Sequence, residues 1–270
     1  MATLNKLTPA DERSLAGDFS NILKHKVLAV QQYALLTARS LWNVLTAPRY
    51  TSDVLEQMDL IGVGSLPIVL LTGFFIGAVM VLQTSSQFER FGQTALTGDV
   101  VAIALVRELG PTITALLVAG RNASGIASEL GSMVVTEQVD AMRAMGTDPS
   151  RKLVTPRVVA MILVLPLLTV LADLVGLIGG FIVSFLELRL NPVQYWTRAV
   201  DALAFGDIMQ GMTKPLVFAL IISTVGCYQG LTVRGGTQGV GRATTEAVVV
   251  ASVLVLVTNF FITRVMLHLF

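Results

Sequence analysis

Five stretches of this chain are apolar for long enough to cross a lipid bilayer, and they constrain the fold more than any other feature. They cover residues 62–82, about 100–120, 158–186, 215–233 and 247–263. A bilayer core about 30 Å thick needs roughly 20 apolar residues per helix. Charged residues make up 14% of the chain, against about 25% in soluble domains. We therefore predict an all-α polytopic membrane protein with about five transmembrane helices.

The segment over residues 20–47 is more polar than the five stretches. Its apolar positions, among them Leu35 and Trp42, are interrupted by Lys24, Gln31 and Arg39. An amphipathic helix lying in the membrane interface has this composition, and we favour that interpretation over a sixth spanning helix. Residues 1–50 are thus expected to form an N-terminal cytoplasmic or interfacial region, and residues 51–270 the transmembrane domain.

Lysine and arginine residues are divided unevenly between the two ends of the predicted helices. Thirteen of the 19 fall on the side of the N-terminus and of the connections at 121–157 and 234–242, and four fall on the other. Because cytoplasmic loops carry the excess of basic residues, we predict a cytoplasmic N-terminus and a C-terminus on the far side. Arg107 and Lys214 are left within the membrane.

The second stretch contains Arg107, Glu108, Gly110 and Pro111 among its apolar residues. A charged side chain at the centre of a membrane helix costs roughly 2.5–3.5 kcal/mol, so such residues face a protein interior or a water-filled cavity. Pro111 has no N–H, and its ring clashes with the carbonyl of Arg107, so a broken helix is expected here. Charged residues beside a broken helix indicate a site for a polar or amphiphilic cargo, and hence a transport protein.

Asp207 and Lys214 form a second charged pair, two helical turns apart at the head of the fourth span. Their spacing places them on one helix face, and we expect them to line the same polar cavity as Arg107 and Glu108. Two alternatives stay open. Lys214 is close enough to a helix end to snorkel to the interface, and Arg107 is a purely structural partner of Glu108 or Asp207.

Asp173 lies in the middle of the third stretch, beside Gly176, Gly179 and Gly180. A face of small residues is typical of close helix packing. We therefore expect Asp173 to be hydrogen-bonded at a helix contact. A role as a proton carrier is the alternative.

The connection at 121–157 contains a short amphipathic pattern. One side of the pattern is apolar, with Val139, Met142 and Met145 or Ala144. Another side is charged, with Glu137, Asp140 and Arg143. Gly146 is expected to end this helix, and Pro149 to prevent its renewal. Docking to a soluble partner and lying on the chain's own membrane fit this pattern equally well.

Nucleotide-binding and catalytic motifs are absent from the sequence. The glycine-rich segment 235–245 lacks the Lys-Ser/Thr that closes a P-loop, and it follows a spanning helix instead of a strand. We interpret it as a tight turn, with Thr244 or Thr245 capping the last helix. His25 and His268 lie near opposite ends of the chain, outside any metal-ligand spacing. The sequence thus predicts no catalytic residue and no metal site.

A dense series of short motifs runs between about residues 55 and 265. In chain order they are Arg107-Glu108-Leu109-Gly110-Pro111, Ala119-Gly120-Arg121, Ser128-Glu129-Leu130-Gly131-Ser132-Met133, Glu137-Gln138-Val139-Asp140-Ala141, Met145-Gly146-Thr147-Asp148-Pro149, Gly211-Met212-Thr213-Lys214, Cys227-Tyr228-Gln229-Gly230 and Gly239-Val240-Gly241. Together they resemble the signature of the MlaE permease family.

The resemblance implies the membrane subunit of an ATP-driven ABC transporter that moves phospholipids between the inner and outer membranes of Gram-negative bacteria, which maintains outer-membrane lipid asymmetry. It implies a homodimer in the inner membrane with a periplasmic C-terminus. The implied partners are a cytoplasmic ATPase (MlaF-like), a hexameric periplasmic MCE protein (MlaD-like) and a STAS-domain protein (MlaB-like), with no nucleic acid. No cofactor is expected in this chain, because the ATPase would bind ATP and Mg²⁺.

The resemblance also implies roles for individual residues. A lipid cavity would combine four charged side chains with an apolar wall: Arg107, Glu108, Asp207 and Lys214 with Leu70, Phe74 and Leu82. The wall residues fit bulk lipid equally well. A cytoplasmic coupling helix near 136–148 would contact the ATPase through Glu137, Asp140, Met142, Arg143 and Met145.

Two other classes of function compete with this one. A stand-alone ion-coupled secondary transporter of an amphiphilic substrate would use Glu108, Asp173 or Asp207 as its proton site. A membrane scaffold without transport would leave the intramembrane charges without a role.

Overall fold

The computed structural model describes residues 9–46, 50–187 and 191–269, and its regular elements in these ranges are all helical. Five helical segments there are long and apolar enough to cross a membrane: Thr51–Glu89, Thr94–Val135, Ser150–Leu186, Phe205–Leu231 and Gly236–His268. The prediction of an all-α polytopic membrane protein with five spans is confirmed. Lys6, Arg49 and Arg189, which entered the count of basic residues, lie outside the described residues.

The described residues contain ten α-helices, seven of them within these segments. In chain order they are α1 (Pro9–Thr46), α2 (Thr51–Glu89), α3 (Thr97–Ala104), α4 (Gly110–Val118), α5 (Ser124–Val135), α6 (Gln138–Ala144), α7 (Thr155–Leu186), α8 (Pro192–Asp201), α9 (Phe205–Leu231) and α10 (Gly236–Leu269). Single π-helical turns at Leu105–Leu109, Ala119–Ala123 and Ser150–Val154 join α3 to α4, α4 to α5, and the preceding loop to α7.

The second span is not broken at Pro111, contrary to the expectation from the sequence. The π turn at Leu105–Leu109 widens the helix just before the proline, and α4 starts with Pro111 in its first turn. Pro111 removes one backbone hydrogen bond at this point but does not interrupt the run of helical residues. The helix axis therefore continues through the charged residues.

Helices α2 and α7 form the most extensive helix contact of the bundle, along facing glycines. A Cβ atom added at Gly77 would overlap the carbonyl oxygen of Gly176, and one at Gly179 would overlap that of Phe74. The close packing predicted from Gly176, Gly179 and Gly180 is confirmed. Side chains such as Met161, Leu165 and Phe218 fill the core beside this contact.

Helix α1 is continuous over 38 residues. It does not figure among the spans found in the described chain. The Tyr33 and Thr224 hydroxyls are 2.9 Å apart, and the Tyr33 ring contacts the Tyr228 ring edge-on, so α1 is held against α9. Trp42 on its outer side is 67% exposed. An amphipathic helix with one face on the bundle matches the favoured interpretation of this segment in shape, while its depth in the membrane stays a prediction.

The last helix begins earlier than expected. Gly235 and Gly236 have φ values of +93° and +66°, which lets the chain turn within two residues, and α10 starts at Gly236. Thr244 and Thr245 therefore lie inside the helix, and each donates its hydroxyl to the Gly241 carbonyl. The prediction that they cap this helix is wrong.

Candidate functional site

Three segments of the membrane domain bring charged side chains together. The π turn at Leu105–Leu109 carries Arg107 and Glu108. The first turn of α9 carries Asp207, whose Oδ2 accepts a hydrogen bond of 2.9 Å from the Ala204 N–H and so caps that helix. Lys214 follows two turns later on α9 and is fully buried.

The four charges form two ion pairs across these segments. Arg107 Nε lies 2.9 Å from Asp207 Oδ1, and Lys214 Nζ lies 2.7 Å from Glu108 Oε2. The prediction that the four side chains share one site therefore fits the geometry. Because Lys214 has no solvent-exposed surface, it does not snorkel to the interface. The structure also decides between the partners that were open for Arg107, in favour of Asp207.

Lys214 makes a second contact that compensates for Pro111. Its Nζ donates a hydrogen bond of 2.8 Å to the carbonyl oxygen of Arg107. Proline at position 111 cannot donate to that carbonyl, which lies four residues before it. A buried carbonyl without a partner costs about 1–3 kcal/mol, so the lysine satisfies the backbone group that the proline leaves free.

Three neutral side chains complete the coordination of Glu108, and sequence reasoning missed all three. Gln210 Nε2 and Thr263 Oγ1 donate to Oε1 over 3.2 and 3.0 Å, and Asn259 Nδ2 donates to Oε2 over 3.3 Å. A signal was available: Asn259 and Thr263 are one helical turn apart within the uncharged stretch at 247–263. Through these bonds Glu108 ties α9 and α10 to the π turn.

Arg107 is the least saturated member of the site. Its side chain keeps 32% of its surface exposed, and the Asp207 contact engages only Nε. Among the described residues, none accepts a hydrogen bond from Nη1 or Nη2. A guanidinium has five N–H donors in a planar fork that matches carboxylate and phosphate groups. The outer edge of this fork is thus available to an anionic group.

The expected apolar wall is placed differently from the charges. Leu70 and Phe74 are partly buried, and Leu82 is 42% exposed. The Phe74 backbone packs on Gly179 of α7, and no described contact joins these three residues to the ion pairs.

A neighbouring face of α2 adjoins the charged segment instead. Leu71, Phe75 and Val79 line a groove of about 450 Å³ together with Leu109, the residue after Glu108.

Asp173 lies at a helix contact, as expected, but without the expected hydrogen bond. Its Oδ1 is buried and has no hydrogen-bond partner among the described residues. It touches the backbone of Gly110, where a Cβ atom would overlap the carboxylate. This carboxyl group takes no part in the two ion pairs.

Helix α6 matches the predicted short helix before Gly146. The N–H of Gly146 (φ +77°) bonds to the Arg143 carbonyl, and that of Thr147 to the Met142 carbonyl, which is a complete Schellman motif. Val139 is buried in the core and Met142 packs against it. Met145 does not share this apolar side, since it is 75% exposed. Its exposure follows from the termination of the helix at Ala144.

The charged residues of this connection face outward. Glu137, Asp140 and Arg143 are exposed, and an ion pair of 2.7 Å joins Asp140 Oδ1 to Arg143 Nη1. Glu137 has a left-handed backbone with φ of +60°, the one non-glycine residue of the described chain with positive φ. The connection is thus a short helix anchored by its apolar side, with a charged surface facing away from the bundle.

Within the described residues, no group of His, Cys, Asp and Glu is arranged to hold a metal ion.

Comparison with known proteins extends this description. The profile of the family described as Permease MlaE matches residues 54–265. A probable ABC transporter permease protein of Rickettsia typhi is 41% identical over 246 residues, which cover 90% of this chain and 95% of that protein. A probable ABC transporter permease protein of Synechocystis is 39% identical over 86% of this chain and 88% of that protein. The chloroplastic protein Trigalactosyldiacylglycerol 1 of Arabidopsis thaliana is 37% identical over 84% of this chain and 65% of that protein.

Proposed function

The chain belongs to the MlaE permease family, and on that premise we propose that it moves phospholipids between the inner and outer membranes and so maintains the lipid asymmetry of the outer membrane. It is a multi-pass permease subunit, and an ABC permease implies an ATPase partner. ATP and Mg²⁺ then belong to that ATPase, and this chain needs no cofactor. The name of the Arabidopsis relative contains that of a glycerolipid, which supports a lipid cargo.

The observation that carries the proposal is the free outer edge of the Arg107 guanidinium, whose Nε lies 2.9 Å from Asp207 Oδ1. A phospholipid phosphate is an acceptor of matching geometry, and guanidinium–phosphate pairs are frequently bidentate. Glu108 and Lys214 neutralise each other, so neither competes for the phosphate. Arg107 is therefore the residue that binds the head group.

The acyl chains require an apolar path beside Arg107. The groove of Leu71, Phe75 and Val79 reaches Leu109, two residues from Arg107. In a homodimer, a second copy would cover this groove and convert it into an enclosed cavity. A site with aliphatic walls and a few polar groups is typical of ligand pockets.

Substitution of Arg107 tests the cargo assignment. Charge-assisted hydrogen bonds contribute about 1.5–3 kcal/mol, so Arg107→Gln should lower phospholipid transfer about 10- to 100-fold. Transfer of labelled phospholipid between vesicles by the purified complex is the measurement. Arg234→Gln, an exposed arginine outside the site, is the matched control. Undiminished transfer in Arg107→Gln with normal expression would refute the assignment.

The exposed face of α6 is the proposed contact with the ATPase. Its apolar side is anchored in the bundle through Val139, and Met142 packs beside that anchor. Glu137, Asp140, Arg143 and Met145 are exposed and can contact a partner. Asp140→Lys should uncouple ATP hydrolysis from transport while the permease still assembles. Asp201→Lys, also exposed but on α8, is the control. Normal coupling in Asp140→Lys would show that the ATPase contacts another surface.

The remaining partners and the location extend the same proposal. We place the chain in the bacterial inner membrane with a cytoplasmic N-terminus and a periplasmic C-terminus. A hexameric MCE protein would then receive lipid on the periplasmic side, and a STAS-domain protein would join the ATPase. Mass spectrometry of the complex purified in mild detergent tests this set, and a homodimer without any ATPase would contradict it.

Ion-coupled transport is the second candidate, because Asp173 has a buried carboxyl oxygen without a partner. Such a group suits reversible proton binding. Under this candidate Asp173→Asn abolishes transport and no ATPase is needed. Under the leading proposal Asp173→Asn transports phospholipid normally, so one variant separates the two.

A further inference from the structure

A cavity of about 390 Å³ lies where α1 passes the segment after α6 and the last turn of α9. It is separate from the Arg107 site and from the groove on α2. Its lining combines apolar side chains with three charged ones: Leu35, Leu36, Leu231 and Tyr228 with Arg39, Arg143 and Asp148. An amphipathic lining of this kind fits a ligand with a charged head and an apolar body.

The cavity is held open by contacts behind its walls. The hydrogen bond between Tyr33 and Thr224 and the edge-on contact of the Tyr33 and Tyr228 rings fix α1 against α9. Leu36 packs against the buried core, and Pro149 is itself buried. These contacts set the distance between α1 and α9 at the cavity.

The cavity carries one positive charge without a counter-charge. Asp148 is already engaged, since its Oδ1 accepts from the Ser150 N–H at 2.9 Å and its Oδ2 lies 3.8 Å from Arg151 Nε. Arg143 is paired with Asp140. Arg39 has no acidic side chain within ion-pair distance among the described residues. The cavity is thus complementary to a single anionic group beside Arg39.

The cavity also lies at the level of lipid head groups. Leu231 is the last residue of the fourth span, so the cavity opens at the end of the bilayer core. Leu28, Leu41 and Trp42 on α1 are exposed, which suits a helix that lies in the membrane surface. On the proposed cytoplasmic placement of α1, the nearest abundant anion with an apolar body is an acidic phospholipid.

We propose that this cavity binds an anionic phospholipid of the cytoplasmic leaflet, as a resident lipid and not as cargo. Its phosphate lies beside Arg39, and its acyl chains run along Leu35 and Leu231. The lipid would join α1 to α6, the helix proposed to contact the ATPase. The site makes the junction of these two helices sensitive to the acidic lipid content of the membrane.

Native mass spectrometry of the intact complex, titrated with phosphatidylglycerol or with phosphatidylcholine of the same chain length, tests the proposal. Arg39→Gln should weaken phosphatidylglycerol binding about tenfold and leave phosphatidylcholine binding unchanged. Leu35→Trp, which fills the cavity without changing its charge, should weaken binding of phosphatidylglycerol as well. The control is Arg242→Gln, because Arg242 is 73% exposed, pairs with Glu246 and lies outside the cavity lining.

Each other outcome overturns the inference. Equal binding of the two lipids, or equal losses in Arg39→Gln and Arg242→Gln, would reduce the effect to general surface charge. Full retention of phosphatidylglycerol by Arg39→Gln and Leu35→Trp would show that the cavity holds no lipid. A loss seen only in Arg107→Gln would assign the retained lipid to the transport site, and would refute this proposal while leaving the proposed function intact.

Discussion

Lys214→Met is the sharpest test of how the charged site is held together. The substitution keeps the length and most of the volume of a fully buried side chain, and it removes hydrogen bonds to Glu108 and to the Arg107 carbonyl. Removing one partner of a buried ion pair costs about 3–5 kcal/mol. Glu108 keeps three neutral donors, so we expect the lower end, about 3 kcal/mol.

The two contacts of Lys214 can be separated by a second substitution. In Lys214→Met/Glu108→Gln no charge is left unpaired, so about 2 kcal/mol of the loss should return. The remainder, about 1 kcal/mol, is the cost of the unpaired Arg107 carbonyl. Adding Pro111→Ala supplies an N–H for that carbonyl and should recover it.

Thermal unfolding of the purified protein in one detergent is the assay. For a chain of this size about 2–4 °C corresponds to 1 kcal/mol, so Lys214→Met should lower Tm by about 6–12 °C. The control is Lys152→Met, since the ion pair of Lys152 with Asp53 is partly exposed and such pairs contribute at most about 1 kcal/mol. A double variant no more stable than Lys214→Met would refute the reasoning.

Three further predictions concern stability, and the first two use the same assay. Gly77→Ala should destabilise the protein by about 1–3 kcal/mol, because the added Cβ meets the α7 backbone. The control Gly125→Ala has open space around it and should stabilise the protein by about 0.5–1 kcal/mol. Equal effects of the two substitutions would contradict the α2–α7 contact. Gly146→Ala should cost about 1–2 kcal/mol, since φ is +77° there, and a neutral result would mean that the end of α6 adapts. Burial raises the pKa of Tyr195 from 10.0 to about 12, so the folded state favours the protonated phenol. The contribution of this phenol to the free energy of unfolding is complete below pH 10 and is lost as the pH rises towards 12. Tyr195→Phe should lack this alkaline loss, which circular dichroism between pH 9 and 12 would show.

The sequence was sufficient for the spans because length and composition determine them. A stretch such as 158–186 can only be satisfied in a bilayer as a helix, since every backbone group must find an internal partner there. The facing glycines could also be predicted, from the run at Gly176, Gly179 and Gly180. Helices extend past the apolar stretches, as α2 does from Thr51, because their polar ends leave the hydrocarbon core.

The compensation at Pro111 was not predictable, because its partner lies 107 residues away from the Arg107 carbonyl. The sequence around Pro111 was enough to identify the carbonyl that would lose its hydrogen-bond donor. It led to the prediction of a broken helix because a donor from a distant part of the chain cannot be read from local sequence. The pairing of the four charges could not be predicted for the same reason: periodicity places Asp207 and Lys214 on one face but does not order them against another helix. The contribution of Asn259 and Thr263 required the position of α10.

The same separation along the chain has a consequence for biogenesis. During synthesis at about 5–20 residues per second, the second span enters the membrane roughly 5–20 s before Lys214, which follows 107 residues later. Thr263, another partner of Glu108, is 155 residues away from it. For that interval the nascent chain holds an arginine, a glutamate and an open carbonyl in the bilayer with none of their final partners. The insertion machinery or an attending chaperone must shelter them, and a chain arrested before α9 is a natural substrate for membrane quality control.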